Sequence, residues 1–455
     1  MLSKNSSFVH LLQAMKTSFS ELNIGKHLRN AGITKKLGFS CLTIFQLLFL
    51  LVFEHRNWYQ ACLSKKAAVL PSKDVIYDFL KVPTFNWRKF LLSLSAEVTQ
   101  RFRRLTSSKR ISVFILDDSV FSRNRSKKVE LLARVHDHVT HQFVKGFSML
   151  TLGRSDGFSF VPVDFALLSS AKKENRYCEM DASLDKRTSG YKRRLEAVQS
   201  KPEMAAKLIQ NALDKGMDAD YVLMDTWFTH APLIESITEK GLFVIGMVKQ
   251  MKQRYHYNEQ LLKLDDLFKL VRPHLQKKDV LGSIQVCLHT EDQTPVKIVF
   301  VRNRNKKSEW LAILSTDTVL SDEEIIRIYG MRWDIETFFK CTKSMLKLAK
   351  KFQGRSYDTL ISHTTLVFTR YILLEWSRRN EQDPKTIGIL FFLMCEDVKD
   401  LDTLTALQQL LELIETLSQG TVSLSSETLT SQLLHWIESL PSYIKGSLRF
   451  SMSES

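Results

Sequence analysis

Two short apolar runs in this chain each end on an aspartate, and that narrows the available folds more than any other feature. "ISVFILDDS" rises from residue 111 and stops at Asp117 and Asp118, and "ADYVLMDTWF" repeats the theme at Asp225. A brief continuous apolar run bounded by polar residues reads as a strand buried on both faces. A carboxylate at its carboxyl end stands where an α/β sheet offers groups to its crevice. Two more candidate strands, "GFSMLTLGR" and "FSFVPVDFALL", are joined by the turn signal Ser155-Asp156-Gly157. With the first run they read as an antiparallel meander. "PEMAAKLIQNALDKG" then reads as a helix stopped by Gly216, and "APLIESITEKG" with "LFVIGMVK" as the helix and strand beyond the second aspartate.

The flanking segments divide the chain into five stretches. Residues 1–105 read as a helical N-terminal domain, with Ser72 as an N-cap and a basic helix end at Arg101, Arg103 and Arg104. Its scattered cations fit a DNA-binding module, and a plain helical bundle accounts for the pattern equally well. Residues 106–249 form the first part of an α/β core, in which 170–200 is a polar, basic connection. Residues 250–315 read as a β-rich insertion, and 316–380 as the helical second part of the core, opened by Ser321 and Glu324 as a capping box. Residues 381–455 carry short helical runs of mostly acidic charge, which fit dimerisation or a cover over the core, with dimerisation the preferred reading.

Composition closes off other classes. Only 16 Gly and 9 Pro exclude collagenous and low-complexity chains. The 65 Lys+Arg against 49 Asp+Glu give a net charge of +16, which points to a polyanionic partner, nucleic acid foremost. Six cysteines without a CxxC pair support neither a zinc ribbon nor a disulfide framework and fit a reducing cytosol. The apolar stretch from Cys41 to Phe53 has thirteen residues where a bilayer span needs about 20. It also begins too deep for a signal peptide, so it reads as a buried helix, with no membrane partner.

Tyr329, Arg332, Glu336 and Lys343 sit at offsets that place all four within roughly 60° on one helix face. A solvated charged face is the ordinary explanation of such a set. Two strand-end aspartates change the weighing. Asp117, Asp225 and Glu336 together supply the oxygen donors that hard divalent cations prefer. Two such ions about 4 Å apart suit in-line phosphodiester displacement. His136, His138 and His141 lie close together but are read as a loop or strand edge rather than as zinc ligands.

The segment "YGMRWDIETFFKCTK" resembles the Tyr-x2-Arg-x3-Glu-x6-Lys signature of DDE transposases of the fourth insertion-sequence family. "ILDDS" and "LMDTWF" resemble that family's two aspartate blocks, in the right order across about residues 110–350. The resemblance implies a ribonuclease-H-like α/β fold, a mixed sheet flanked by helices with a β-rich insertion before the last catalytic helix. It implies Asp117, Asp225 and Glu336 as catalytic and metal-binding residues for two Mg2+ ions, with Mn2+ as a substitute, and Asp118 as the weaker claimant to the first position. Tyr329, Arg332 and Lys343 would contact DNA phosphates, and Trp310 would stack on a base flipped from the duplex end. Trp227, Phe228 and Trp333 are assigned to packing. The implied activity is cut-and-paste transposition in the bacterial cytosol: cleavage at terminal inverted repeats, a hairpin intermediate in some members, and strand transfer into target DNA by a homodimer. A structure-specific nuclease of the same fold and a catalytically silent DNA-binding regulator remain as alternatives.

Overall fold

The computed structural model describes residues 18–380, apart from 64–69, 108, 139, 251–252, 272–278, 304–305, 307–308 and 351. Beyond them it describes 386–395, 407, 410, 431 and 433–437. Most of the segment assigned to dimerisation therefore lies outside the described residues. The chain divides into two compact units, one of residues 1–26, 34–79 and 385–455, the other of 27–33 and 80–384.

The helices preceding the sheet are α1 (Ile24–Asn30), α2 (Cys41–Leu50), α3 (Trp58–Cys62), α4 (Lys73–Lys81) and α5 (Trp87–Arg104). The apolar stretch becomes α2, buried along nearly its whole length and started by Ser40, whose Oγ accepts from the Thr43 amide at 3.1 Å. Phe19 meets Phe45 and Phe49 edge-on at 6.2 and 5.1 Å, and Phe53 lies 5.5 Å from Phe391 within the same unit. Among the described residues no helix is long and apolar enough to cross a membrane. At α4 the Val75 amide reaches the Ser72 Oγ at 3.4 Å, as expected of an N-cap. The expected boundary at 105 moves, because α5 belongs with the sheet unit. There Arg88 forks onto Asp164 at 2.7 and 2.6 Å, and Ser95 donates to the Pro162 carbonyl at 2.7 Å.

The sheet unit opens with β1 (Val113–Ser122), β2 (Ala133–Asp137), β3 (Gln142–Ser155) and β4 (Phe160–Leu168). α6 (Ser189–Glu196) and α7 (Lys201–Asp214) lead to β5 (Tyr221–Met224), and α8 (Ala231–Thr238) leads to β6 (Phe243–Val248). Then come β7 (Arg254–Tyr257), β8 (Gln260–Lys263), α9 (Leu264–Val271), β9 (Val280–Leu288), β10 (Pro295–Arg302) and β11 (Trp310–Ser315). The chain proceeds through α10 (Asp322–Gly330), α11 (Trp333–Ser344) and α12 (Tyr357–Asn380).

β1, β3 and β4 form the expected antiparallel meander, while β5 and β6 join beside β1 in parallel. This is the ribonuclease-H-like mixed sheet, flanked by helices. β2 is an edge strand that carries His136, while His138 and His141 lie in the turns beyond it, so the histidine group falls partly on a strand edge and partly in a loop. The β-rich stretch does not form a separate layer. β11 pairs antiparallel with β6, and β10, β9, β7 and β8 follow, so 254–315 extends the same sheet. Backbone pairing across β6 and β11 makes the continuation, which no local pattern records.

The polar connection at 170–200 also differs from expectation. It contains α6, whose Arg193 and Arg194 are buried: Arg193 pairs with Asp358 at 2.5 Å, and Arg194 with Glu130 and Asp358 at 2.5 and 2.8 Å. Each of these buried cations is offset by a carboxylate, although the Arg193 Nε itself is buried without a hydrogen-bond partner. None of the six cysteines forms a disulfide.

Candidate active site

β1 and β5 run parallel with Leu116 level with Met224, so Asp117 and Asp225 come one step past the last paired residues of adjacent strands. Asp225 leaves the sheet in a tight turn. Its Oδ1 accepts from the Trp227 and Phe228 amides at 2.9 and 3.2 Å, and the Thr229 Oγ1 donates to its carbonyl at 2.6 Å. Thr229 in turn packs against Gly246 of β6, where an added Cβ would stand 2.2 Å from Oγ1. Glycine is required there by this close approach.

β1 is pleated, so Asp117 and Asp118 face opposite sides. Asp118 turns to α7, where its Oδ2 accepts from Lys201 Nζ at 2.8 Å and from Ser148 Oγ at 2.5 Å. Asp117 turns to α11, and its Oδ2 accepts from Arg332 at 3.0 Å. The pleat therefore puts Asp117, and not Asp118, on the side of Arg332.

The four-residue signature was read on one helix, and the structure breaks that helix in two. Tyr329 closes α10 and Arg332 is the N-cap of α11, with the amides of Met331 and Arg332 each bonded three residues back at 3.0 Å. Such a tightened turn is a short 3-10 step. Acidic Asp334 and Glu336 sit in the first turn of α11, where the helix dipole favours them. Asp334 accepts from Ser155 Oγ at 2.5 Å, tying that helix start to the end of β3.

The turn aims Arg332 between the carboxylates. Its guanidinium binds Asp117 on one side and Glu336 on the other. Tyr329 lies beside it; burial, with Asp225 and Asp117 near, pushes the phenol up to about 12, opposed by the guanidinium. Asp117 is pushed up to about 7, chiefly by burial and further by Asp225, with Arg332 opposing. Two turns along α11, Lys343 donates to Ser119 Oγ on the same face of β1 as Asp117. Burial pushes its ammonium down, while Asp137, Asp117 and Asp118 pull it up.

Six of the seven candidates thus gather around one guanidinium and one strand. Trp310 does not. It starts β11, stacked on Phe268 at 4.7 Å and edge-on to Phe300 at 5.2 Å, so the ring is engaged in packing. The tryptophans assigned to packing behave otherwise. Trp333 is 67% exposed and Trp227 44%, and only Phe228 enters the core. Trp333 escapes because the helix restarts at its position instead of continuing. For Trp227 the Asp225 turn lifts the residue off the sheet, where Lys201 Nζ sits 4.6 Å over its ring. Those exposures follow from turns that helical periodicity does not show.

Whether a divalent cation fits depends on charge and on donors. Among the described residues no group of three His, Cys, Asp or Glu is set to hold an ion, and the Arg332 guanidinium stands between two of the carboxylates. The donors are all carboxylate oxygens, which suit a hard cation. Three carboxylates against one guanidinium leave a formal surplus of two negative charges. The donor chemistry fits a hard cation, which Asp117, Asp225 and Glu336 would hold.

Residues 63–266 match the family model described as a DDE superfamily endonuclease, and residues 198–373 match that of a transposase DDE domain. No curated protein matches. Among solved structures, the chain is similar to a cryo-EM structure of the piggyBac transposase synaptic complex with hairpin DNA, at 10% identity over 92% of this chain and 87% of that chain, TM-score 0.48. Such families typically use divalent metal ions. The two models overlap on the β5 block and together reach from before β1 into α12, so the sheet unit is similar to DDE-superfamily domains over most of its length.

Proposed function

We propose that the protein is a cut-and-paste transposase, cleaving DNA at terminal inverted repeats and joining the freed 3′ ends to target DNA. The observation that carries this reading is the convergence of the Asp117 and Glu336 carboxylates on one guanidinium, with Asp225 level with Asp117 on the neighbouring strand. Asp117, Asp225 and Glu336 would hold two Mg2+, with Mn2+ as substitute, and the ions would activate the attacking hydroxyl and stabilise the leaving 3′ oxygen. Arg332, displaced from its carboxylates, forks onto non-bridging phosphate oxygens. Tyr329 stays protonated at neutral pH and donates a hydrogen bond to the same phosphate. Lys343 adds a point charge further along α11. Catalysis is then positioning plus charge stabilisation, without a covalent protein intermediate. Two copies of the chain pair the two ends.

A second reading, a silent DNA-binding protein derived from a transposase, is favoured by the guanidinium lying between the carboxylates. One assay separates the readings: the protein with Mg2+ and DNA carrying the repeats that flank its own coding region. The transposase reading expects nicking and strand joining in the wild type, and loss of both by at least a hundredfold in Asp225→Asn and Glu336→Gln with DNA binding kept. Cleavage without joining would identify a nuclease. Binding without cleavage at any divalent cation would leave the silent protein.

A further inference from the structure

A cleft of about 1200 Å³ opens beside the carboxylates, along the second half of β1 and the segment that follows α11. Its wall is strongly one-signed. Arg123, Arg125, Lys127, Lys128, Lys350 and Arg355 line it together with Lys343, against only Asp118 and Asp137. Asp118 is already paired with Lys201 at 2.8 Å. None of those six cations pairs with a carboxylate among the described residues.

Arg123 sharpens the argument. Its guanidinium lies 4.4 Å over the Phe352 ring, which is itself stacked on His363 at 3.8 Å. The Arg123 Nε is buried without a hydrogen-bond partner. A half-buried cation with no counter-charge is costly, and an anion in the cleft would offset that cost. Seven cations along one concave wall suit an extended polyanion better than a single small anion.

We propose that this cleft seats the phosphodiester backbone of a DNA strand running on from the scissile phosphate past Lys343. The identity of the polyanion rests on the transposase reading. Lys343 supplies the continuity, because it lines the cleft and bonds Ser119 on the strand that carries Asp117. Lys343 follows Glu336 by seven positions on α11, about 10 Å of helix, or roughly three base steps of a DNA strand. The cations beyond Lys343 then engage phosphates further from the cut, and contribute affinity without touching the reacting atoms.

The test measures binding in a Glu336→Gln background, where chemistry is off. Fluorescence anisotropy follows a labelled duplex carrying the element's end and its flank, from about 50 to 300 mM salt. One variant adds Arg123→Gln, Lys127→Gln and Lys128→Gln. A second adds Lys127→Gln, Lys128→Gln and Arg355→Gln, which leaves the half-buried Arg123 intact should its loss disturb folding. A control removes three exposed lysines elsewhere, Lys172, Lys173 and Lys215. Each cleft variant is expected to weaken binding by about tenfold or more and to flatten the slope of log K against log salt by roughly 2–3, with the control nearly unchanged. Cleft variants that match the control in affinity and slope overturn the proposal. The two claims fail separately. A wild type that never cleaves while the cleft variants lose DNA sinks the transposase reading alone, and a cleaving wild type whose cleft variants bind normally sinks this one alone.

Discussion

Asp117→Asn should make the metal-free protein less sensitive to rising pH. In the folded chain the Asp117 carboxyl titrates at about 7 instead of 3.8, with burial as the first cause and Asp225 as a second. A folded pKa above the unfolded one means that the native state holds the proton more tightly. The contribution is full below pH 3.8 and is lost as pH climbs through about 7. At 1.36 kcal/mol per unit, the wild type should lose roughly 2–3 kcal/mol from this group between pH 5 and pH 8. The side chain is only 14% exposed, so solvent screening takes little from that figure. Asparagine keeps the shape and the acceptor for Arg332 but carries no charge at any pH. The measurement is a pair of thermal melts with EDTA at pH 5 and pH 8. The variant's melting temperature relative to wild type should rise by roughly 4–8 °C over that interval. Parallel curves for the two proteins would refute the account of Asp117 as a buried, crowded acid. Adding Mg2+ at pH 8 should then stabilise the wild type by about 2.7 kcal/mol at a hundred times its dissociation constant, and leave the Asp117→Asn variant unmoved.

Two further substitutions separate the packing from the chemistry. Gly246→Ala puts a methyl group 2.2 Å from Thr229 Oγ1, which donates to the Asp225 carbonyl at 2.6 Å; it should cost about 1–3 kcal/mol and lower cleavage further by moving Asp225. A variant that melts lower but cleaves at the wild-type rate would show the turn to be slack. Trp310→Ala should cost about 2–4 kcal/mol by opening the cluster with Phe268 and Phe300, whereas Trp227→Ala should cost less, about 1–2 kcal/mol, because 44% of that residue stays exposed. An unchanged melt with lost hairpin formation in Trp310→Ala would restore its expected role as a base platform.

What was legible in the sequence is what periodicity and chain breaks write locally. The apolar runs before Asp117 and Asp225 pair in parallel as β1 and β5, although β1 does not stop at its aspartate but runs on to Ser122, held there by β3. The spacing of Tyr329, Arg332, Glu336 and Lys343 survives a break in the helix, because one tight turn at Met331 leaves the residues on the same side. Tertiary facts were not legible. Arg193 and Arg194 look like surface charges until Asp358 and Glu130 arrive from distant segments to bury them. Trp333 and Trp227 look like core residues until turns carry them outward. Strand order is of the same kind, since nothing between 254 and 315 records that β11 will pair with β6.

The choice between Asp117 and Asp118 shows how little is needed once the sheet exists. Both carboxylates follow the same apolar run, and side-chain chemistry cannot tell them apart. The pleat sends them to opposite faces. One face meets α7, where Lys201 and Ser148 neutralise Asp118 and hold it still. The other meets the start of α11, where Asp117 shares the Arg332 guanidinium with Glu336 and lies close to Asp225. A carboxylate with a dedicated lysine has little to gain from a metal ion. One that is buried, crowded by like charge and sharing its guanidinium with Glu336 has much to gain, and that imbalance is what supports Asp117 over Asp118 in the proposed site.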